Sequence, residues 1–497
     1  MKKLFVISLM VLLSTVMYAQ QKKTLNSYIS YATFNMPTDD ATPYVETYIT
    51  FDKSNLVYVK NDKGQYSAAV NVTVLFKQGE SVKNFGKYSL SSPSVADTTN
   101  INGFFMDIQR YSLDNGTYTL EIILEDVNNK KEKPVTVEDQ LLIDFPDRFC
   151  FSSILGLESF TKANTESATA KNGYDLIPMI MPFYPETMNK LTFYVEIYNA
   201  KKQLGDGEKY LLNTYISAFE NGTKLNNFYF TKRMNAKDID VIINSMDIKN
   251  LPTGNYYLIL EARDRNNEII GLNRYFFQRS NPDYQIDNSM LATINPDEVF
   301  SGKIDNLDNL DTIREYIRTL SPISTLVEKD YAEELIKTDD IKTMQQFFYT
   351  FWSSRDRIDP RQAWLDYYAQ VLRVNASFNT INGKGYDSDR GIVFLKYGAP
   401  DRIVQSYNEP GAYPYEIWHY YTLGSQRNKK FVFMTRDMVT NDFKLIHSDA
   451  IGELNNFRWT TEIYQRTYGT YDDYGVDGAA NPNSYGDKAK DYYDNPR

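Results

Sequence analysis

Apolar and polar positions alternate with a period of two through long stretches of the first half of the chain. Val70, Val72, Val74 and Phe76 are interleaved with Asn71, Thr73 and Leu75, and Phe193, Val195 and Ile197 with Tyr194, Glu196 and Tyr198. Such alternation predicts strands with one packed face. Turn residues separate them, as at Asn61-Asp62-Lys63-Gly64, where glycine supplies the positive φ of a tight turn. After a polar, proline-containing connector over 281–306 the period changes to three and four. Ile341, Met344, Phe348, Phe351, Trp352 and Arg355 share one helical face behind Asp340, and Trp364, Tyr368, Val371 and Phe378 share another behind Asp359-Pro360. Further helices are predicted over 307–320 and from Ser321-Pro322 to about Ile336. The run from Ile392 to Tyr397 is apolar except at Lys396. Its continuity predicts a strand buried on both faces, ended by Gly398-Ala399-Pro400-Asp401. Short strands over 415–422, 430–434 and 443–447 are spaced for an antiparallel meander.

The strand-rich half repeats itself. Leu113, Gly116, Tyr118, Leu120 and Asp126 recur at the same offsets as Leu251, Gly254, Tyr256, Leu258 and Asp264. Met106-Asp107-Ile108 and Met246-Asp247-Ile248 precede the two copies, and Asn128-Asn129 and Asn266-Asn267 follow them. Five matched positions with matching flanks predict two copies of one plan. In each, glycine turns the chain and the tyrosine enters the core, returning its hydroxyl to nearby backbone as tyrosine corners do. The fold class expected is therefore multidomain: two all-β immunoglobulin/fibronectin-like sandwiches over 24–147 and 148–279, a connector with a helical segment over 280–325, and an α+β domain over 326–463 with helices packed on an antiparallel sheet. A disordered tail is expected over 464–497, where Tyr, Asp, Gly, Asn and Pro follow no apolar period.

Composition narrows the roles. The 497 residues carry a formal charge of −10, which argues against a nucleic-acid partner, since that needs a basic footprint. Lys2-Lys3, an apolar run from Leu4 to Val16 and Met17-Tyr18-Ala19 read as a secretory signal over 1–19. Export to the periplasm, the outer membrane or beyond is expected, with no transmembrane segment after signal cleavage. Cys150 has no second cysteine to pair with and, between Phe149 and Phe151, reads as a buried structural thiol.

Phe351-Trp352 with Arg355-Asp356, Gly385-Tyr386-Asp387-Ser388-Asp389-Arg390-Gly391, and Tyr397-Gly398-Ala399-Pro400-Asp401 followed by Tyr415-Glu416-Ile417-Trp418 occur in that order. Together they resemble the GWxTD-domain proteins of bacterial envelopes over about residues 326–463. Tyr386 stands where that motif has tryptophan, and Ser388 where it has threonine. The resemblance implies an envelope domain and no established reaction.

The candidate binding or motif residues are thus Trp352, Arg355, Asp356, Gly385, Tyr386, Asp387, Ser388, Asp389, Arg390, Gly391 and Trp418. Asp387 and Asp389 with Arg390 can be read as an acid–base or ligand-binding group. They can equally be read as a joint in which Ser388 or Asp389 satisfies turn backbone and Arg390 pairs with a carboxylate such as Asp356, tying helix to sheet. The second reading is preferred. Two carboxylates without an ordered ligand series are too few for calcium, and His419 and His447 lack metal-ligand spacing, so no metal and no cofactor are expected. No Gly-x-Ser-x-Gly elbow presents a serine nucleophile. Trp352, Trp364 and Trp418 read as core, whereas Trp459 reads as exposed to a partner. The function expected is non-catalytic: an interaction or scaffold module binding an envelope protein through sandwich edges or the C-terminal domain. The rivals are a glycan- or peptide-active hydrolase using Asp387 and Asp389, and a carbohydrate-binding protein.

Overall fold

The computed structural model describes residues 25–464 and 488–495, apart from 37–41, 100, 131–133, 164–166, 221, 283–303, 305–306, 357, 382, 425 and 457. The expected signal, most of the connector and residues 465–487 of the tail lie outside the described residues.

The first sandwich sets a sheet of Ser27–Asn35, Pro43–Asp52 and Phe104–Ser112 over one of Ser81–Ser91, Ala69–Gln78, Gly116–Asp126 and Val135–Ile143. The alternating positions Val70, Val72, Val74 and Phe76 are fully buried and meet Val45, Ile49 and Phe51 in one core. The second sandwich follows the same topology. Lys190–Tyr198 pairs with Ile239–Asp247, and Lys209–Ala218 lies between Lys224–Asn235 and Gly254–Arg263. The short helix α1 (Ala200–Leu204) joins two of its strands. Both tyrosine corners form: Tyr118 donates to the Asp114 carbonyl at 2.9 Å, and Tyr256 to that of Pro252 at 3.0 Å. Cys150 is half-buried, with Sγ 3.9 Å from the Pro146 carbonyl, and burial pushes its thiol up to about 11.

The two sandwiches stack sheet against sheet, making four layers. Phe34 and Tyr48 from one side meet Leu155, Leu157, Leu176 and Tyr194 from the other in a separate apolar cluster. Tyr194, Glu196 and Tyr198, which the alternation assigns to a polar face, are buried in or beside this joint. At its centre Lys171 lies 2.9 Å from Glu46 and 3.9 Å from Glu196, all three side chains under 10% exposed. Its ammonium also rests over the Phe34 ring. Arg110 donates to Glu46 at 2.7 Å, and Tyr198 to Glu196 at 2.6 Å. A cavity of about 10 Å³ beside Glu46, Tyr48 and Lys171 has room for one water. Burial pulls Lys171 down to about 8 against the upward pull of Glu46 and Glu196. Burial alone pushes the Glu46 carboxyl up, but Lys171 and hydrogen bonds from Tyr48 and Arg110 outweigh it and hold it below its ordinary value.

The C-terminal half contains α2 (Leu310–Thr319), α3 (Leu326–Leu335), α4 (Ile341–Arg355) and α5 (Pro360–Phe378). Asp340 and Asp359 cap α4 and α5, accepting from Thr343 and Gln362 at 3.1 and 2.9 Å. The helix expected to begin at Ser321-Pro322 begins later. Ser321–Ile323 is a 3-10 turn, and Thr325 caps α3 in a reciprocal box with Glu328.

The largest departure is the run expected as a buried strand. Asp389–Tyr397 is helix α6, capped by Ser388, whose hydroxyl accepts from Gly391 at 3.1 Å, and ended at Gly398 with φ 83°. It sits between α5 and the sheet. Leu395 packs with Val371, Val374 and Tyr386, while Val393 packs with Trp418 and Phe431. A helix covered on both sides has the same unbroken apolar run as a strand covered on both sides.

The sheet orders Arg402–Ser406, Tyr415–Leu423, Gln426–Met434 and Lys444–Ser448 as an antiparallel meander. Its other face is covered by α7 (Trp459–Tyr464) and α8 (Ala489–Asp494), through Trp459, Ile463 and Ala489. Helices therefore lie on both faces of the sheet. Two expectations are corrected here. Trp459 is buried at 6% exposure, stacked on His447, and α8 places an ordered turn in the segment expected to be wholly disordered. Tyr493 of α8 reaches His447 Nε2 at 3.0 Å, which fixes the turn to the sheet.

Candidate functional site

The motif segment is a corner where α5, α6 and the sheet meet. Gly385 and Gly391 are required by close approach. A Cβ on Gly385 would lie 2.3 Å from the Val374 carbonyl oxygen, and one on Gly391 1.9 Å from that of Gly385. Two asparagines of the α5 end hold the turn: Asn379 accepts from the Gly385 amide at 2.7 Å, and Asn375 from that of Tyr386 at 3.1 Å. Tyr386 is buried and donates to Glu315 of α2 at 3.0 Å.

Ser388 is the pivot. Its hydroxyl donates to the Gly385 carbonyl at 2.7 Å while capping α6. Threonine, the residue at this place in the motif the segment resembles, has the same hydroxyl. Ser388→Ala is expected to lower stability by about 1 kcal/mol, the usual cost of a lost cap, and Ser388→Thr to retain most of it. Thermal unfolding of the two variants side by side checks this, and equal losses would refute the cap.

The two aspartates serve opposite sides of the corner. Asp389, in the first turn of α6, accepts from the Leu445 amide at 2.7 Å, with Lys444 at 4.0 Å. Asp387 is exposed on the side of Glu315; partial burial and then the Glu315 charge hold its carboxyl above the ordinary value. They do not converge on a shared point, as a hydrolytic carboxylate pair must.

Arg390 does not pair with Asp356. Its Nη1 meets Glu416 at 3.0 Å, its Nη2 meets the Asn441 carbonyl and side chain at 2.9 and 2.6 Å, and its guanidinium lies over Phe443. Both partners of the ion pair are 5% exposed or less. Asp356 instead accepts from the Ile358 and Asp359 amides at 2.8 and 3.0 Å, closing the turn between α4 and α5. Arg355 forms a two-pronged pair with Glu328 at 3.0 and 2.8 Å, joining α4 to α3. Trp352 is in the helical core with Trp364, 33 residues before Gly385 and in a separate cluster. Trp418 packs on Phe433 and donates to Glu416 at 2.9 Å, so it belongs to the Arg390 network.

Glu416 is the residue that motif reasoning passes over. It also accepts from Tyr407, which makes it a buried carboxylate with an arginine, an indole and a phenol as partners. The available signal is a lone acid inside the apolar run Tyr415–Leu423, whose residues 415–420 are all buried. Among the described residues, no group of three or more His, Cys, Asp or Glu is placed to hold a metal ion. His419 and His447 lie on separate strands; burial lowers both, His447 to about 4.

A family model described as the GWxTD domain matches residues 303–465. No curated protein matches the chain. Among solved structures, the chain is similar to red sea bream transglutaminase at 8% identity and TM-score 0.16, over 51% of this chain and 31% of that one. It is similar to a glycosyl hydrolase family 2 member from Bacteroides cellulosilyticus DSM 14838 at 11% identity and TM-score 0.20, over 48% of this chain and 28% of that one. It is also similar to fibronectin(III)-like modules of Clostridium thermocellum CbhA at 9% identity and TM-score 0.14, over 48% of this chain and 88% of that one. The matched family region begins upstream of 326 and takes in α2, whose Ile313 and Ile317 share a core with Trp352 and Trp364. Residues 303–465, with the Gly385–Asp389 corner at their centre, are a GWxTD domain, and the chain is a GWxTD domain-containing protein.

Proposed function

We propose that the chain is an exported, non-catalytic interaction or scaffold protein of the cell envelope. The stacked sandwiches form its docking body and the GWxTD domain its interaction head. One observation carries this reading. Three of the motif's chemistry-bearing groups are engaged inside the fold, with Ser388 on helix and turn backbone, Asp389 on the Leu445 amide and Arg390 on Glu416, which leaves Asp387 exposed without the second carboxylate. A group so engaged joins layers and is not free to meet a substrate. Binding has a natural site in the strand Lys224–Asn235, which ends its sheet and, among the described residues, is paired on one side only, so its second edge can accept an added strand. No described helix is long and apolar enough to cross a membrane.

The test compares the chain with its Asp387→Asn/Asp389→Asn variant on glycan and peptide libraries, and in crosslinking to envelope extracts. A specific crosslinked protein retained by both forms, with no turnover by either, supports the reading. Turnover that the variant loses while its melting temperature holds would establish a hydrolase instead.

A further inference from the structure

We propose that the outward face of the second sandwich's outer sheet binds an acidic polysaccharide. The sheet runs Lys224–Asn235, Lys209–Ala218, Gly254–Arg263 and Ile269–Arg279. Its even-numbered residues from Tyr210 to Ile216 and from Tyr256 to Ala262 close the core, apart from the buried Thr214, so the odd-numbered ones face outward. Pairing places Arg233 beside Leu211 and Leu211 beside Arg263. It likewise places Tyr229 beside Tyr215, Tyr215 beside Ile259 and Ile259 beside Arg274.

The charge of this face opposes that of the chain. Lys209, Lys224, Arg233, Arg263 and Arg274 stand on it against Glu261, in a chain of net charge −10. Lys224 and Arg233 stand on the edge strand, Lys209 on the strand beside it, Arg263 on the next, where it pairs with Glu261 at 2.5 Å, and Arg274 on the one beyond. Lys224 is fixed where it stands, 3.5 Å from the Tyr229 ring centre and 4.5 Å from that of Tyr215. Among these strands, Asn213 accepts from Tyr229 at 3.0 Å and from Thr231 at 2.8 Å, and donates to Glu261 at 3.1 Å. Asn213 and Glu261 are themselves buried, at 8% and 9% exposure, whereas Tyr229 at 42% and Leu272 at 47% stand open to solvent around them.

The occupant follows from this composition. Cations spread over four adjacent strands select an anionic polymer. Aromatic edges and aliphatic side chains suit the C–H faces of sugar rings, and the amide and hydroxyl groups suit their hydroxyls. From Lys209 to Ser217 the face runs about 27 Å along the strands, enough for a short run of sugar units. The far end is closed by the GWxTD domain, where the Phe219 ring lies near Gly452 and under the Lys396 ammonium at 5.7 Å. The face is built of paired strands. This site is independent of the motif corner.

Affinity electrophoresis and calorimetry of the whole chain test it, with polygalacturonate as the acidic polymer, dextran as the neutral one and phosphatidylglycerol vesicles as a charged membrane. Polygalacturonate is expected to bind. Its affinity should fall about tenfold or more on raising salt from 50 to 300 mM and in Arg233→Glu/Arg274→Glu, and severalfold in Tyr229→Ala but less in Tyr229→Phe, at unchanged melting temperature. Equal binding of dextran, binding to vesicles without binding to polygalacturonate, no binding to polygalacturonate, or affinity indifferent to both arginines would each overturn the assignment.

Discussion

Lys171→Met is expected to lower the stability of the stacked sandwiches by about 3–5 kcal/mol at pH 7, the usual cost of stripping one partner from a buried ionic cluster. The methionine fills similar space, so the loss comes from charge. Glu46 and Glu196 remain buried with one positive charge fewer between them. The pH dependence separates this from a packing defect. Glu46 is held below its ordinary value of 4.5, with Lys171 the largest of the influences that lower it. Its contribution is therefore present above about 4.5 and lost as pH falls through its folded-state value. In the variant Glu46 has less of this stabilisation to lose. The difference between variant and parent should be widest near neutrality and narrow as the solution is acidified. Urea unfolding at several pH values measures it. A difference below 1 kcal/mol, or one that does not change between pH 7 and pH 4, would show that the cluster does not hold the joint.

The second large effect belongs to the motif corner. Arg390→Met should cost the GWxTD domain about 3–5 kcal/mol by leaving Glu416 charged and buried without its cation. Asp387→Asn, three residues away, should stay within about 0.5 kcal/mol, because the group is exposed and its charged neighbour Glu315 is of like sign. Arg390→Met/Glu416→Met should recover part of the single-variant loss, since an apolar pair replaces an unpaired charge. Chemical denaturation of these variants and of Glu416→Met measures this. A double variant as weak as the sum of its parts would indicate that the two residues act separately.

The sandwich strands, both tyrosine corners and the capped helices α4 and α5 were legible because each rests on a local period or a local cap. What failed was reading which faces are covered. Tyr194, Glu196 and Tyr198 alternate with Val195 and Ile197 as a wet face would, yet a second sheet lies on them. The clue was a glutamate with tyrosines around it in Val45-Glu46-Thr47-Tyr48 and again in Val195-Glu196-Ile197-Tyr198, where tyrosine hydroxyls can serve a buried acid. Hydrophobic continuity over 389–397 does not distinguish a covered helix from a covered strand. The Ser388-x-x-Gly391 cap and Gly398 were the discriminating residues. In the candidate site the motif residues are legible in the sequence, but the partner of Arg390 is not. Arg390 reaches 26 positions forward to Glu416, and no local pattern measures such a distance.

Asp139 of the first sandwich accepts from Tyr31 at 3.0 Å and faces Lys429 of the GWxTD sheet at 4.0 Å, while Phe219 of the second sandwich meets the same domain near Gly452. The C-terminal domain is thus braced against both sandwiches. A pull or twist on either sandwich would be carried through it as through a keystone.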